Sequence, residues 1–431
     1  MSFTIGIRRE DKSKWERRVP ITPKHVQELK EKHSIETIIQ PSVIRVFQDD
    51  AYINAGARVQ ENVEECPIVF AVKEIPLQFF EPGKTYVFFS HTIKGQKYNM
   101  PMLRKMMDLN CNLIDYEKIT NDKGFRLVFF GRYAGLAGMV DSLWSFGKRM
   151  EFNNILSPLN EIKKTVEYKN LDEVKIHLKK IGQKIKNEGL PKSISPFIIG
   201  FAGYGHVSNG AQEILDLFPI KEISPDDLVE NFNQLSNKYV YKVIFKEKDL
   251  VEPKTADIIF ELQDYYNHPE KYTSKFDRYL SYLSILMNCI YWDSRYPRLI
   301  TKDYVNQNFN NMRLKVIGDI SIDINGAIEI TEKATTPDMP SFIYDPETES
   351  IKDGVEGNGI VIMGVDNLPC ELPIESSNEF SNSLFNFILG IVKADYKKDF
   401  EFIDLPSEIK RAVILYHGEL TPNYQYIGKY L

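Results

Sequence analysis

The sequence predicts an α/β protein with two domains, each built on a parallel sheet flanked by helices. Three observations lead to this prediction. Short apolar segments alternate with helical patterns along the chain, and a glycine-rich turn joins one such segment to a helix. The length of 431 residues suits two or three domains of ordinary size.

The composition is that of an ordinary globular protein and excludes several partners. The chain is 43% hydrophobic and 26% charged, with a formal net charge of -6 and interspersed acids and bases. Without a basic block we expect no nucleic-acid partner, and without an apolar run of roughly 18 residues we expect no membrane span. The start of the chain lacks a signal or transit pattern, which predicts a cytoplasmic protein. Widely separated cysteines predict reduced thiols and no metal site: Cys66, Cys111, Cys289 and Cys370.

The first third of the chain predicts one α/β domain. An apolar strand is predicted over residues 3–9, and a helix from Pro23 through Leu29. Further short apolar segments predict strands over residues 37–40, 68–72 and 86–90. Small and apolar residues at helical spacing over 135–147 predict a long helix that links two domains, with a boundary near Ala134.

The remaining sequence predicts a second α/β unit. A charged helical segment, residues 153–192, ends at prolines before an apolar strand at residues 197–201. Later strands are predicted over residues 257–260, 285–290, 314–320 and 360–365, and a helical pattern returns over 376–393. We expect no internal repeat and no low-complexity linker.

The glycine-rich turn Gly203-Tyr-Gly-His-Val-Ser208 directly follows the strand at 197–201. In a dinucleotide-binding turn the first glycine permits the tight bend, and the second lets a pyrophosphate approach the following helix. Ser208 stands where a third glycine is usual, and it is small enough for close helix packing. The glycines could instead serve only a tight βα turn, but the strand before and helix after favour a nicotinamide cofactor. The predicted contacts are Gly203, Tyr204, Gly205, His206, Val207 and Ser208.

The choice between NAD and NADP depends on the residue that ends the strand after the glycine turn. About 20 residues past the first glycine, an NAD enzyme ends its second strand on an acid that holds the ribose hydroxyls. Here the segment 220–224 ends on Ser224, which favours NADP(H). Glu222 and Asp226 lie two residues to either side, so a small shift in register would restore an acid and leaves NAD(H) open.

Segments in both halves of the chain carry a family resemblance. In the first half they are residues 8–11, 15–23, 72–76, 88–94, 113–118 and 130–138. In the second half they are residues 203–212, 266–272, 288–292, 318–321 and 365–369. Together they resemble the lysine-ketoglutarate reductase and saccharopine dehydrogenase family, related in fold to alanine dehydrogenase and the soluble part of transhydrogenase. The likeness is greatest to the reductase half of the bifunctional animal and plant enzymes.

The resemblance implies an activity and a set of residues. The reaction would be an NADPH-dependent condensation of L-lysine with 2-oxoglutarate to saccharopine, which is reversible. Lys73 and His91 would form the acid–base pair, a task that suits histidine near neutral pH. Without the resemblance, Lys73 would be interpreted as a solvated lysine and His91 as a structural histidine.

Further residues match the needs of a substrate with three carboxylates. Guanidinium groups bind carboxylates in bidentate fashion, and an acid suits the lysine ammonium. The resemblance points to Arg18, Arg126 and Lys94 for the carboxylates and to Glu117 for the ammonium, although surface ion pairing is the plain alternative. Asn288, Tyr291 and Asp319 are expected on the nicotinamide side, because parallel sheets bind ligands at the carboxyl ends of strands. No role is carried over for Arg132.

The sequence thus predicts a different function for each domain. Residues 1–133 with about 370–431 are predicted to bind the substrates and carry the acid–base pair, and residues 134–369 to bind the dinucleotide. The active site is expected in the cleft between them, as two Rossmann-like domains require. A separate glutamate-forming saccharopine dehydrogenase would take the next step. The alternatives are an NAD-dependent saccharopine dehydrogenase working in the lysine-forming direction and a non-catalytic nucleotide- or lysine-sensing module.

Overall fold

The computed structural model describes residues 3–255 and 258–431. The strands are β1 Phe3–Ile7, β2 Ile35–Ile39, β3 Arg58–Val59, β4 Ile68–Phe70, β5 Thr85–Phe88, β6 Asn112–Asp115, β7 Phe197–Ala202, β8 Ile220–Glu222, β9 Val240–Phe245, β10 Val251–Pro253, β11 Tyr272–Ser274, β12 Ile285–Asn288, β13 Val316–Asp319, β14 Ser341–Asp345, β15 Ser350–Asp353, β16 Ile360–Met363, β17 Val413–Tyr416 and β18 Glu419–Leu420. The α-helices are α1 Pro23–His33, α2 Asp49–Asn54, α3 Met100–Asp108, α4 Gly131–Phe152, α5 Leu171–Glu188, α6 His206–Leu215, α7 Pro225–Glu230, α8 Glu247–Leu250, α9 Leu262–Asn267, α10 Lys302–Asn308, α11 Pro373–Lys393 and α12 Ser407–Ala412.

The chain forms two compact units. Unit 1 comprises Met1–Phe130 and Pro373–Leu431, and unit 2 comprises Gly131–Leu372. Each contains a largely parallel sheet with helices beside it, so the predicted α/β class is confirmed. Among the described residues no helix is long and apolar enough to cross a membrane.

The sheet of unit 1 has the strand order β18-β17-β6-β5-β4-β1-β2-β3. The six strands β6, β5, β4, β1, β2 and β3 run parallel to one another, and β17 and β18 extend the sheet with antiparallel pairing. Strands β4, β5 and β6 are buried at every residue, as expected where both faces of a parallel sheet are covered. The strand predicted over 68–72 ends at Phe70, since the amide of Val72 donates to the Glu10 carboxylate instead of continuing the ladder.

The sheet of unit 2 has the order β15-β14-β16-β13-β12-β7-β9-β8, with β16 to β8 parallel. The strand beside β7 is therefore β9, while β8 lies outside it. The strand predicted over 220–224 is present as β8, Ile220–Glu222, at the edge of the sheet. The short β8 is mostly exposed, whereas the longer, largely buried β9 can occupy a position between two other strands.

Most other predicted elements agree within a few residues, but within the helical segment predicted over 153–192 the α-helix is only α5, Leu171–Glu188. The strands predicted near residues 37, 86, 285, 314 and 360 are β2, β5, β12, β13 and β16, and the last predicted helix is α11. The strand predicted over 257–260 falls partly outside the described residues, and residues 258–260 are not in a strand. Strands β6 and β9 were not predicted.

Helices α4 and α6 of unit 2 cross at glycines. A Cβ on Gly210 would come within 2.1 Å of the Arg132 carbonyl oxygen, and one on Gly135 within 1.9 Å of the Val207 oxygen. Ser208 is fully buried and accepts a hydrogen bond from Gln212 Nε2 at 3.0 Å. The close helix approach expected at position 208 is thus made possible by Gly210 and Gly135.

Two buried carboxyl groups of unit 2 lie against each other. Asp141 of α4 and Glu371 are both buried and in hydrogen-bond contact, and Asp141 Oδ1 also accepts from the Thr165 amide at 2.8 Å. The Thr165 side chain also contributes a hydrogen bond to Glu371. Burial and the charge of Asp141 raise the pKa of Glu371 well above its ordinary value, so the pair shares a proton.

We expect this pair to make the stability of unit 2 depend on pH. The folded chain keeps a proton that the unfolded chain releases near the ordinary pKa of 4.5, so the free energy of unfolding falls as the pH rises above that value. Glu371→Gln replaces the shared proton with an amide donor, and the melting temperature should then decline less between about pH 5 and about pH 8. The exposed Glu356→Gln is the matched control. Equal pH dependence in all three proteins would contradict the shared proton.

Candidate active site

The charged residues of unit 1 collect where its parallel strands end. Glu10 follows β1, Lys73 and Glu74 follow β4, His91 follows β5, and Glu117 follows β6. Because parallel strands place their carboxyl ends at one edge of the sheet, the loops that carry these residues are neighbours.

Lys73 is a half-buried lysine without a bound partner. Within residues 3–255 and 258–431 no hydrogen bond or ion pair reaches its Nζ atom. Burial lowers the pKa of Lys73, and the nearby positive charge of Arg18 lowers it further, against a smaller opposing effect of Glu16. A lysine whose pKa is lowered gives up its proton more readily and can accept one again.

His91 is held by a carboxylate that the sequence analysis did not single out. Its Nδ1 atom lies 2.7 Å from Glu74 Oε1, and Lys12 Nζ donates to Glu74 Oε2 at 2.7 Å. Burial alone would raise the pKa of Glu74, but the hydrogen bonds from His91 and Lys12 outweigh it and hold the pKa well below its ordinary value. Since an ionised carboxylate only accepts, Nδ1 of His91 is the donor and Nε2 is left to exchange protons with a ligand.

Glu10 supports the loop that carries Lys73. Its buried carboxylate accepts from the amides of Val72 at 2.7 Å and Lys73 at 3.0 Å. Burial and the neighbouring Glu16 raise the pKa of Glu10 to about 7, although these amides oppose the shift. The only sequence signal for Glu10 was its place in the matched segment 8–11.

The predicted substrate-binding residues are found in three different settings. Arg18 is 2% exposed, and its Nε and Nη2 donate to Glu16 at 2.7 and 2.5 Å. Its guanidinium lies 4.2 Å from the ring centre of Phe130. Glu117 and Arg126 form an ion pair with each other, and Lys94 is exposed. The structure therefore brings Arg18 close to Lys73 and pairs Glu117 with Arg126.

The glycine turn of unit 2 has room for a pyrophosphate. Gly203 has a φ of 96°, which favours glycine, and its amide donates to the Phe245 carbonyl at 3.2 Å. Gly205 caps α6, and a Cβ built on it would meet nothing within 4 Å. Helix α6 has no acid in its first turn. These features fit a dinucleotide whose phosphates lie at the amino end of α6.

The other predicted cofactor residues surround the carboxyl ends of the unit 2 strands. Asn288 and Asp319 end β12 and β13, are each 1% exposed, and bond to each other at 2.8 Å. Burial raises the pKa of Asp319 to about 6. Asn288 Oδ1 is buried without a donor in the described part of the chain. Tyr291 is 74% exposed, and the hydroxyl of Ser224 caps α7 through Asp227.

Comparisons with known proteins agree with this fold. The models for the N-terminal and C-terminal domains of alanine dehydrogenase/PNT match residues 6–137 and 291–423. A solved L-alanine dehydrogenase aligns over 99% of both chains with a TM-score of 0.65 and 16% identity. A transhydrogenase from Sinorhizobium meliloti aligns over 97% of this chain and all of that one, with a TM-score of 0.55 and 13% identity. Fold and site thus define the alanine dehydrogenase and transhydrogenase class.

Curated relatives are similar to nearly the whole chain. Alpha-aminoadipic semialdehyde synthase of Arabidopsis thaliana is 38% identical over 99% of this chain and 41% of its own length. The mitochondrial enzyme of that name from Bos taurus is 34% identical over 99% of this chain and 47% of its own length. Saccharopine dehydrogenase [NAD(+), L-lysine-forming] of Yarrowia lipolytica is 24% identical over 88% of this chain and 90% of its own length. The chain belongs to the alanine dehydrogenase/PNT family. It is similar over nearly its whole length to alpha-aminoadipic semialdehyde synthases, of which it spans less than half, and more distantly to a saccharopine dehydrogenase.

Proposed function

We propose that this chain is a lysine-ketoglutarate reductase, which joins L-lysine and 2-oxoglutarate to saccharopine with NADPH and also runs in reverse. The observation that carries the proposal is that two groups follow neighbouring strands at one sheet edge: a Lys73 amine without a bonded partner among the described residues, and a histidine held by Glu74. The names of the relatives, an aminoadipic semialdehyde synthase and a saccharopine dehydrogenase, supply the substrate class.

The two residues suit the proton transfers of imine formation. Lys73 accepts the proton of the substrate ammonium, and the freed amine forms a C–N bond with the ketone carbon of 2-oxoglutarate. His91 donates from Nε2 to the hydroxyl of this adduct, so that the C–O bond breaks and water leaves. Bound NADPH supplies the hydride that reduces the resulting C=N bond. One lysine, one 2-oxoglutarate, one NADPH and one proton would thereby give one saccharopine, one NADP+ and one water.

The positively charged residues of unit 1 suit the carboxylates of these substrates. Arg126 pairs with Glu117 in the free chain, and a substrate carboxylate would replace Glu117 as its partner. Glu117 is then available to the α-ammonium group of lysine. Arg18 contributes positive charge from a buried position, and Lys94 from an exposed one.

A nicotinamide cofactor would be held by unit 2. The glycine turn from Gly203 to Ser208 provides the phosphate site, with open space above Gly205. We assign Asn288, Tyr291 and Asp319 to the nicotinamide end, because they follow the strands beside the turn. The buried Asn288 Oδ1 without a donor supports this assignment, since a carboxamide N–H could satisfy it.

A second candidate is an NAD-dependent saccharopine dehydrogenase acting in the lysine-forming direction. It is favoured by one observation: the Yarrowia lipolytica enzyme of that name is 24% identical to this chain, and the alignment covers 90% of its length. The same acid–base residues would serve both directions, so the two candidates differ in cofactor and in the direction that is used.

A coupled measurement tests the function. Purified protein is mixed with L-lysine, 2-oxoglutarate and either NADPH or NADH, the loss of nicotinamide absorbance is followed, and saccharopine is identified by mass spectrometry. Reactions without lysine, or with ornithine in its place, serve as controls. Saccharopine formation faster with NADPH supports the first proposal, and faster formation with NADH supports the second. No turnover with either cofactor would leave a non-catalytic binding module.

A further inference from the structure

The strand order of unit 2 moves the position that selects the ribose from Ser224 to Lys246. In dinucleotide folds the residue that contacts the adenosine ribose follows the strand beside the first one. That strand is β9 here, because it pairs with β7 along its whole length and its last carbonyl accepts from the Gly203 amide. The first residue after β9 is Lys246, a cation where NAD enzymes place an acid.

Lys246 faces a cavity that begins at the glycine turn. The cavity has a volume of about 670 Å³, and its walls include Tyr204 of the turn, Ser224 beyond β8, and Ile244 of β9. Lys246 is exposed, and its Nζ forms no hydrogen bond or ion pair in the part of the chain that the structure describes. An amine in this position can bind an anion without losing an existing partner.

The acid in the same cavity already has a partner. Glu222 lies on the outer strand β8, and its carboxylate is 3.2 Å from Nζ of Lys242. Lys242 is also 3.2 Å from Asp216, and its side chain is 10% exposed. The Glu222 charge is therefore balanced from within unit 2, while the Lys246 charge is not.

We propose that Lys246 binds the 2′-phosphate of NADP(H), with Ser224 on the adjoining wall, and so sets the cofactor preference of this chain. The inference rests on the proposed function only in requiring that the glycine turn bind a nicotinamide dinucleotide. A charge-assisted hydrogen bond to a phosphate suits a lysine, which acts as a point charge at such sites. Glu222, held by Lys242, would not oppose the phosphate with a free carboxylate.

Binding of two adenosine fragments tests the assignment without catalysis. Calorimetric titration of the full chain would compare adenosine 2′,5′-bisphosphate with adenosine 5′-diphosphate. Lys246→Gln should weaken the 2′,5′-bisphosphate about tenfold to a hundredfold, and leave the affinity for 5′-diphosphate unchanged within about twofold. Lys248→Gln, an exposed lysine two residues further along, should change neither affinity.

The outcomes separate this inference from the proposed function. If Lys246→Gln weakens both fragments equally or neither, the assignment is wrong, even if lysine and 2-oxoglutarate are turned over. If the parent protein prefers the 5′-diphosphate and Glu222→Gln weakens it, Glu222 is the ribose acid and the chain is NAD-selective. Suppose that Lys246→Gln weakens binding of the 2′,5′-bisphosphate alone and that the parent protein does not turn over lysine. The phosphate site is then supported, and the reductase function is rejected.

Discussion

Lys73→Ala is expected to lower kcat for saccharopine formation about a hundredfold to ten-thousandfold, the range for removal of a positioned acid–base group. Lys73 Nζ has no protein partner among the described residues, and burial beside Arg18 lowers its pKa. The variant therefore loses the group that accepts the substrate proton, while the glycine turn of unit 2 is unaltered. Steady-state kinetics with saturating lysine, 2-oxoglutarate and NADPH measures the effect.

A chemical rescue distinguishes an acid–base role from a structural one. The cavity left by Lys73→Ala can admit a small amine, so ethylamine should restore part of kcat, and amines of different basicity should restore it to different extents. Lys97→Ala, an exposed lysine of the same unit, should retain the parent kcat and show no response to amines. A change in KM alone, or a loss of kcat together with unfolding at assay temperature, would contradict the assignment.

The apolar segments of the chain were enough to predict the class of fold, but not the order of strands in space. Residues 197–201 form an uninterrupted apolar run, and they became the buried β7. Strand β9 was missed because Lys242 interrupts its pattern, although the aliphatic part of that side chain lies buried. Segment 220–224 was taken as the second strand because it comes next in the chain, and chain order does not decide which strand lies beside β7.

Residues of the candidate site could be predicted only where they lie in a segment that resembles the family. Lys73 and His91 were selected by family resemblance, since a lone lysine or histidine has no pattern of its own. Glu74 contacts His91, which lies 17 positions away in the chain. Glu10 contacts the amide of Val72, which lies 62 positions away. Neither pairing follows from periodicity or spacing. The role proposed for Lys246 likewise depends on which strand lies beside β7.

His91→Asn is expected to lower kcat about a hundredfold to ten-thousandfold and to remove one limb of the pH profile. Asparagine tolerates the left-handed backbone at this position, where φ is 48°, and its amide can still donate to Glu74 as Nδ1 of the imidazole does. The substitution therefore removes the titrating Nε2 with little change in the loop. The pH dependence of kcat/KM, measured for parent and variant, reports the loss.

Glu74→Gln separates the positioning of the imidazole from its proton transfer. The amide removes the negative charge 2.7 Å from Nδ1 but can still accept a hydrogen bond there. Because the charge that fixes the imidazole is lost while an acceptor for Nδ1 remains, kcat should fall by less than in His91→Asn, with KM little changed. A purely structural role for Glu74 would instead lower the melting temperature together with kcat. If His91→Asn retains the parent pH profile, another group carries the proton, and Glu74 then loses its proposed function as well.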